Sequence, residues 1–189
     1  APDVSTRVTG GGGRGVYSDE ESGKKSAGGV FSCEGVHNHV VESDIKPKGV
    51  TFAAARVKGA HAPRECLASA DNWFRPVQFA NAPDGCLYVA DMYRETIEHP
   101  WSIPLSIKKH LDLNSGNNRG RIWRIAPKGF KLPKRALPGK VKTAQLVDLL
   151  AHDNGWTRET AARLIYERQD KSIVPALERF AVNAKSSYG

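Results

Sequence analysis

Apolar positions along this chain follow two different periods, and the change falls near residue 142. Before it, short β-rich runs alternate with turn text; after it, leucines and isoleucines recur three and four apart. The first regime predicts strands over residues 30–34, 38–43 and 50–55, with Lys46-Pro47-Lys48-Gly49 turning into the last of them, an antiparallel meander. A second unit of the same kind covers 67–126. Its first two strands, 77–81 and 86–90, fold about Pro83-Asp84-Gly85, where Pro83 presets φ and Gly85 accepts the left-handed position. Pairing about that turn joins residues whose numbers sum to roughly 168, give or take a one-residue bulge. This register sets Arg75 beside Tyr93 and Asp71 beside Ile97. The third strand is Arg121-Ile122-Trp123-Arg124-Ile125.

The 28 residues from Met92 to Arg119 form an insertion before that strand. It holds a helix-like piece over 102–111, with Ser102 as N-cap and Pro104 in the first turn. Insertions of this length within a compact sheet are usually functional or cover a partner. Residues 1–29 carry Gly10-Gly11-Gly12-Gly13 and much Ser and charge, and read as a Gly-rich irregular segment or an edge strand.

Residues 128–142 form a Pro/Lys linker. Beyond it, Leu146, Leu149 and Leu150 share one helix face, and Thr157 caps a second helix bearing Ala161, Leu164, Ile165 and Arg168. A third helix starts near Asp170 or Ser172 with Pro175 in its first turn, and Ile173, Leu177, Phe180 and Ala181 line it. Short helices in succession over 143–189 resemble the start of a HEAT-type array of about one and a half repeats, so the chain is expected to stop inside a domain.

Composition narrows the class. A chain of 189 residues with 40% hydrophobic and 25% charged residues has the balance of a soluble globular protein. No apolar run approaches the ~20 residues of a membrane-spanning helix. The chain starts at Ala1 and its one methionine is Met92, which reads as an excised piece of a longer protein with any export signal upstream. The net charge of +8 concentrates in the linker, at Lys128, Lys131, Lys134, Arg135, Lys140 and Lys142. No aromatic platform or nucleic-acid motif accompanies it, so nucleic-acid binding is not expected. Cys33, Cys66 and Cys86 show neither zinc nor haem spacing. A Cys33–Cys66 disulfide is one reading and buried free thiols the other, favoured one.

Candidate chemistry gathers at one end of the hairpin. Asp71, Asn72, Arg75, Tyr93, Arg94 and Glu98 are candidate substrate or cofactor ligands, with Asp91 and His99 as candidate catalytic groups: Arg would hold anionic oxygens and Asp or His would take a proton. The alternative is a structural network in which Arg75 or Arg94 ties loop carbonyls and pairs with Asp91 or Glu98. His99 precedes Pro100 and is therefore held extended. His37 and His39 share a face as a conceivable metal pair, but no third ligand is identifiable, and no metal site is assigned. Trp73, Trp101 and Trp123 are expected in packing more than in a sugar-stacking platform. Arg119-Gly120-Arg121 is expected to turn into the last strand and pair with an acidic loop.

The text Leu67-Ala68-Ser69-Ala70-Asp71-Asn72-Trp73-Phe74-Arg75-Pro76, then Pro83-Asp84-Gly85-Cys86-Leu87-Tyr88-Val89-Ala90-Asp91-Met92-Tyr93-Arg94, then Ile97-Glu98-His99-Pro100-Trp101-Ser102-Ile103-Pro104 and Arg119-Gly120-Arg121-Ile122-Trp123-Arg124-Ile125 resembles the membrane-bound dehydrogenases of planctomycete-type bacteria. Phe31-Ser32-Cys33-Glu34-Gly35-Val36-His37-Asn38 is similar to their preceding blade. The resemblance implies a mainly β fold: terminal blades of a six-bladed, sugar-dehydrogenase-like β-propeller over 30–127, then HEAT-like helical repeats. It further implies a fragment of an exported quinoprotein-like oxidoreductase of sugars or alcohols, periplasmic or cell-envelope associated, passing electrons to a haem-c domain outside this chain. The fragment alone is not expected to turn over substrate. Haem c, and pyrroloquinoline quinone or calcium, would belong to the parent; no Cys-x-x-Cys-His stands here, and no cofactor is assigned within these residues. The implied partners are the rest of the propeller, the haem domain and a carbohydrate or alcohol. The competing reading is a non-catalytic propeller and HEAT module that binds a protein or glycan.

Overall fold

The computed structural model describes residues 11–18, 28–57, 65–132, 134 and 137–184. The described chain is mainly β, with two antiparallel sheets and four α-helices, and divides into two compact units.

The first unit takes in the described residues up to Tyr17, 28–80 and 88–125. One sheet runs β1 (Gly11–Val16), β2 (Val30–Glu34), β3 (His39–Lys48) and β4 (Thr51–Arg56), with β5 (Leu67–Ala68) paired to the start of β3. Glu34 faces His39 across the Gly35–Asn38 turn, and Lys48 faces Thr51. The meander is therefore as expected, except that β3 runs on through Pro47. The turn falls on Gly49 and Val50, where Gly49 takes φ 61°.

Of the Gly-rich segment, Gly11–Val16 is the edge strand of this sheet, the second of the two readings; residues 1–10 and 19–27 lie outside the described residues. The glycines of the strand are needed for close approach: a Cβ on Gly13 would collide with the backbone of Val77 and Gln78, and one on Gly15 would press on Phe79. Tyr17 follows, fully buried, and meets Phe31 edge-on at 6.3 Å; Phe31 in turn meets Phe79 at 6.2 Å. Cys33, Val40, Val41, Phe74 and Val89 complete the core of this unit.

The other sheet has the order β6 (Pro76–Asn81), β7 (Leu87–Asp91) and β8 (Arg121–Ile125). The insertion between β7 and β8 differs from the sequence expectation. Ser102 is not an N-cap: it ends a 3₁₀ turn, Pro100–Ser102, and α1 spans only Leu105–Lys108, starting directly after Pro104.

The second unit comprises Ser18, Asn81–Leu87 and the described residues from Ala126 onward. Its helices are α2 (Thr143–Leu149), α3 (Gly155–Arg168) and α4 (Val174–Asn183), with α2 packed on the other two. Leu146, Val147, Ala161 and Ile173 are buried. Thr157 is not the cap of α3. Asn154 is, its Oδ1 accepting from Thr157 N at 2.7 Å and Thr157 Oγ1 at 2.6 Å, because Oδ1 of the residue three positions earlier reaches the free N–H groups of the first turn. Asp170 caps a 3₁₀ turn, Lys171–Ile173, ahead of α4. Arg168, placed by periodicity on an apolar face, instead donates to the carbonyls of Val141 and Gly139. No helix among the described residues is long and apolar enough to cross a membrane.

Candidate functional site

The hairpin turn closes where expected, with Gly85 N donating to Ala82 O and Gly85 at φ 82°. At the far end Met92 N donates to Arg75 O at 2.9 Å, so paired numbers sum to 167, within the one residue allowed. Pairing stops there. β6 begins at Pro76, and Tyr93 turns the chain away at φ 53°, so Asp71 does not lie opposite Ile97 in a ladder. Asp71 meets Arg121 instead, from Oδ2 to Nη2 at 3.3 Å, while its Oδ1 accepts from Trp73 N.

Arg75 is buried, and its guanidinium is largely committed to main-chain oxygens. Nε donates to Arg94 O at 2.8 Å, Nη2 to Glu95 O at 2.6 Å, and Nη1 to Gly35 O at 2.8 Å and Val36 O at 3.4 Å. It thereby joins the β2–β3 turn to the segment after β7. Four of its five N–H donors are thus spent on the main chain, leaving one Nη2 N–H, too few for the two-pronged grip on an anion.

Asp91 is equally committed. Its side chain is fully buried; Oδ1 accepts from Arg75 N (2.8 Å) and Tyr93 N (2.9 Å), Oδ2 from Arg121 Nε (2.9 Å) and Trp123 Nε1 (3.0 Å). Burial by itself raises the pKa of this carboxyl. The bonds from Arg75, Trp123, Arg121 and Tyr93 outweigh burial and hold it below its ordinary value. A carboxylate so stabilised is a poor proton acceptor.

Arg121 pairs with acidic side chains, as expected, and is also the hub of the cluster. Its guanidinium lies 4.0 Å from the ring centre of Tyr93 and 4.8 Å from that of Trp123, while binding both Asp71 and Asp91. Asn38, at φ 57°, adds a second clamp by donating to the carbonyls of Asp71, Asn72 and Phe74. The Asn72 side chain is exposed.

The remaining candidates lie outside this network. His99 is exposed and extended (ψ 132°), as its place before proline requires; its Nδ1 accepts from Trp101 N and caps the 3₁₀ turn. Glu98 is exposed. Arg94 donates from Nη2 to Leu113 O at 2.6 Å, and its Nε is buried without a partner. Trp101 departs from the packing expectation, being 91% exposed.

His37 and His39 do meet, rings stacked at 5.8 Å, although His37 sits in the turn and not on the strand. His37 Nδ1 lies 3.5 Å from Glu34 Oε1. Among the described residues no group of three His, Cys, Asp or Glu is arranged to hold a metal. Cys33, Cys66 and Cys86 are free thiols, Cys33 and Cys86 buried and Cys66 exposed; burial pushes the Cys33 thiol up to about 12.

Two pockets open beside the cluster. One, of about 480 Å³, is lined by Trp73, Tyr93, Asp112 and the run Asn114 to Arg119. Gly116, at φ 83°, sits so close that a Cβ there would collide with Tyr93 O and Trp73. Trp73 Nε1 donates to Ser115 Oγ at 2.8 Å, fixing the indole against the loop. No motif marks this Asn/Ser/Gly loop; the sequence signal it carries is the density of amide side chains between α1 and Arg119. The other pocket, of about 580 Å³, has Met92, Ile97 and Leu113 among its walls, with Arg94, Thr96 and Glu98.

Residues 2–129 match the family described as "Domain of unknown function (DUF7133)". The chain belongs to the DUF7133 family. The matched stretch takes in both sheets, α1, the charged cluster and both pockets, and ends before α2, so α2, α3 and α4 lie beyond the matched residues. It also includes the Gly-rich segment, in keeping with β1 pairing to β2. No curated protein and no solved structure matches the chain.

Proposed function

We propose that this chain is a binding module, the terminal blades of a β-propeller followed by HEAT-like helices, whose pocket at Trp73, Tyr93 and the 112–119 loop takes a glycan or another hydroxyl-rich group. One observation carries the reading. The buried charges at the hairpin end, Arg75 and Asp91, are committed to structural hydrogen bonds, while the adjoining pocket, apart from Asp112 and Arg119, is lined mostly by amide, hydroxyl and aromatic side chains. Neutral donors and acceptors beside aromatic rings suit a ligand that is uncharged and rich in hydroxyls. Titration of a neutral mono- and oligosaccharide panel by calorimetry tests it. Binding that weakens in Asn117→Ala and Asn118→Ala supports the proposal, and a folded protein that binds none of the panel sinks it.

A second reading keeps one supporting observation. Tyr93, a non-glycine residue at φ 53°, lies on the wall of the same pocket, and backbone strain of this kind gathers at reacting sites. In that reading the module belongs to an exported quinoprotein-like oxidoreductase of sugars or alcohols, in the periplasm or cell envelope. The pocket would contribute to substrate binding, with His99 moving the proton and haem c accepting electrons elsewhere. Turnover of a sugar and alcohol panel by the parent protein, with added quinone and an artificial acceptor, decides between the two.

A further inference from the structure

Arg94 stands apart from the other guanidinium groups of this cluster. Arg75 donates to four carbonyls and Arg121 to two carboxylates, whereas Arg94 makes one hydrogen bond, to Leu113 O, and its Nε is buried without a partner. Among the described residues no carboxylate lies within ion-pair distance of it. A half-buried guanidinium with so few partners is costly to maintain and attracts an anion. It lines the pocket of about 580 Å³, whose other walls include the apolar side chains of Met92, Ile97 and Leu113 and the hydroxyl of Thr96.

We propose that this pocket binds a small organic monocarboxylate with an apolar body, its carboxylate on Arg94 and its chain against Met92, Ile97 and Leu113. Planar guanidinium groups recognise carboxylates through paired N–H bonds, and burial of the chain supplies the rest of the affinity. Glu98 sets the charge limit. It is exposed on the same pocket, so it repels a dianion more strongly than a monoanion. This pocket shares Asn114 with the amide-rich pocket but differs from it in chemistry, and the proposal stands whether or not that pocket binds glycans.

Calorimetric titration of the full chain with hexanoate and with hexanamide tests the proposal, since the two share an apolar chain and differ in charge. Hexanoate is expected to bind at least about tenfold more tightly, the worth of a charge-assisted pair. Arg94→Gln should abolish that preference, and Glu98→Gln should tighten hexanoate about twofold by removing a repelling charge. Arg94 also supports Leu113, so circular dichroism must show the variant folded. If it is not, Ile97→Trp, which fills the pocket and leaves the guanidinium in place, should abolish hexanoate binding. Equal binding of acid and amide, no binding of hexanoate to the folded wild-type chain, or binding that survives Ile97→Trp overturns the proposal.

Discussion

Nε of Arg121 lies 2.9 Å from Oδ2 of Asp91, joining residues 30 apart in sequence and tying the first residue of β8 to the last of β7. The Asp91 side chain is fully buried, while that of Arg121 is about one-third exposed. The asymmetry predicts unequal mutations. Asp91→Ala strands four donors and should cost about 3 kcal/mol in urea unfolding, in the range for a broken buried charge network. Asp71→Ala removes the outer partner of the same Arg121, at a position about one-third exposed, and should cost less than about 1 kcal/mol. Equal losses would show that burial of Asp91 does not set its worth.

What could be read in the sequence was whatever local text decides. Val30 to Glu34 is a β-branched and aromatic run closed by a turn, and it forms β2 at those limits. Pro83 and Gly85 specify their turn, and a basic residue at the start of β8 beside acidic loops pointed to the Arg121 pairings. What could not be read depends on distant partners. A run of glycines reads as loop unless a neighbouring strand comes too close for any side chain, as β6 does to Gly13. Trp101 reads as core because large rings usually are; its exposure is set by how the insertion folds. Of the candidate site, the clustering of polar groups was legible, but not which members are committed to structural hydrogen bonds. That depends on loop carbonyls, such as those of Gly35 and Glu95, whose positions no motif records.

The close approach of β1 gives a paired test. Gly13→Ala places a methyl against the backbone of Val77 and Gln78, which cannot swing aside, and should destabilise by about 1–3 kcal/mol. Gly12→Ala meets Cys33 Cβ at 3.4 Å and Val77 O at 3.5 Å, an ordinary contact, and should lie near neutral. Thermal melts of the two variants check this; a tolerated Gly13→Ala would mean that β1 can move away from β6.

Stability should fall on acidification in two steps. His39 is buried, and burial lowers its pKa below the ordinary 6.5; Glu65 and Glu34 oppose this, while His37 and Arg56 reinforce it. The unfolded chain therefore takes up a proton below about 6.5 that the folded chain refuses, and stability is lost as pH falls through that value. Asp91 adds the second step. Its pKa is depressed in the folded state, so its contribution is present above the ordinary 3.8 and lost as pH falls through the folded value. Unfolding free energy measured against pH should slope between pH 7 and 5 in the wild-type chain and flatten in His39→Gln, while the loss near and below the carboxylate range persists. An unchanged slope in His39→Gln would remove His39 as its source.

In the helical unit, Asn154 is the position on which α3 and the hairpin turn both depend. Its Oδ1 takes the N–H and hydroxyl of Thr157, and its Nδ2 donates to Ala82 O at 3.3 Å, all from a side chain without solvent contact. Asn154→Ala should therefore cost more than a surface N-cap, about 2 kcal/mol, since it removes the cap and leaves the buried Thr157 hydroxyl without its acceptor. Thr157→Val keeps the cap on the backbone N–H and should cost about half as much. Hydrogen exchange separates the contributions. In Asn154→Ala the amide of Thr157 should lose protection together with that of Gly85, whose turn Ala82 anchors, whereas Thr157→Val should leave Gly85 protected. Loss of protection at Gly85 in both variants would mean that the Ala82 bond does not hold the turn.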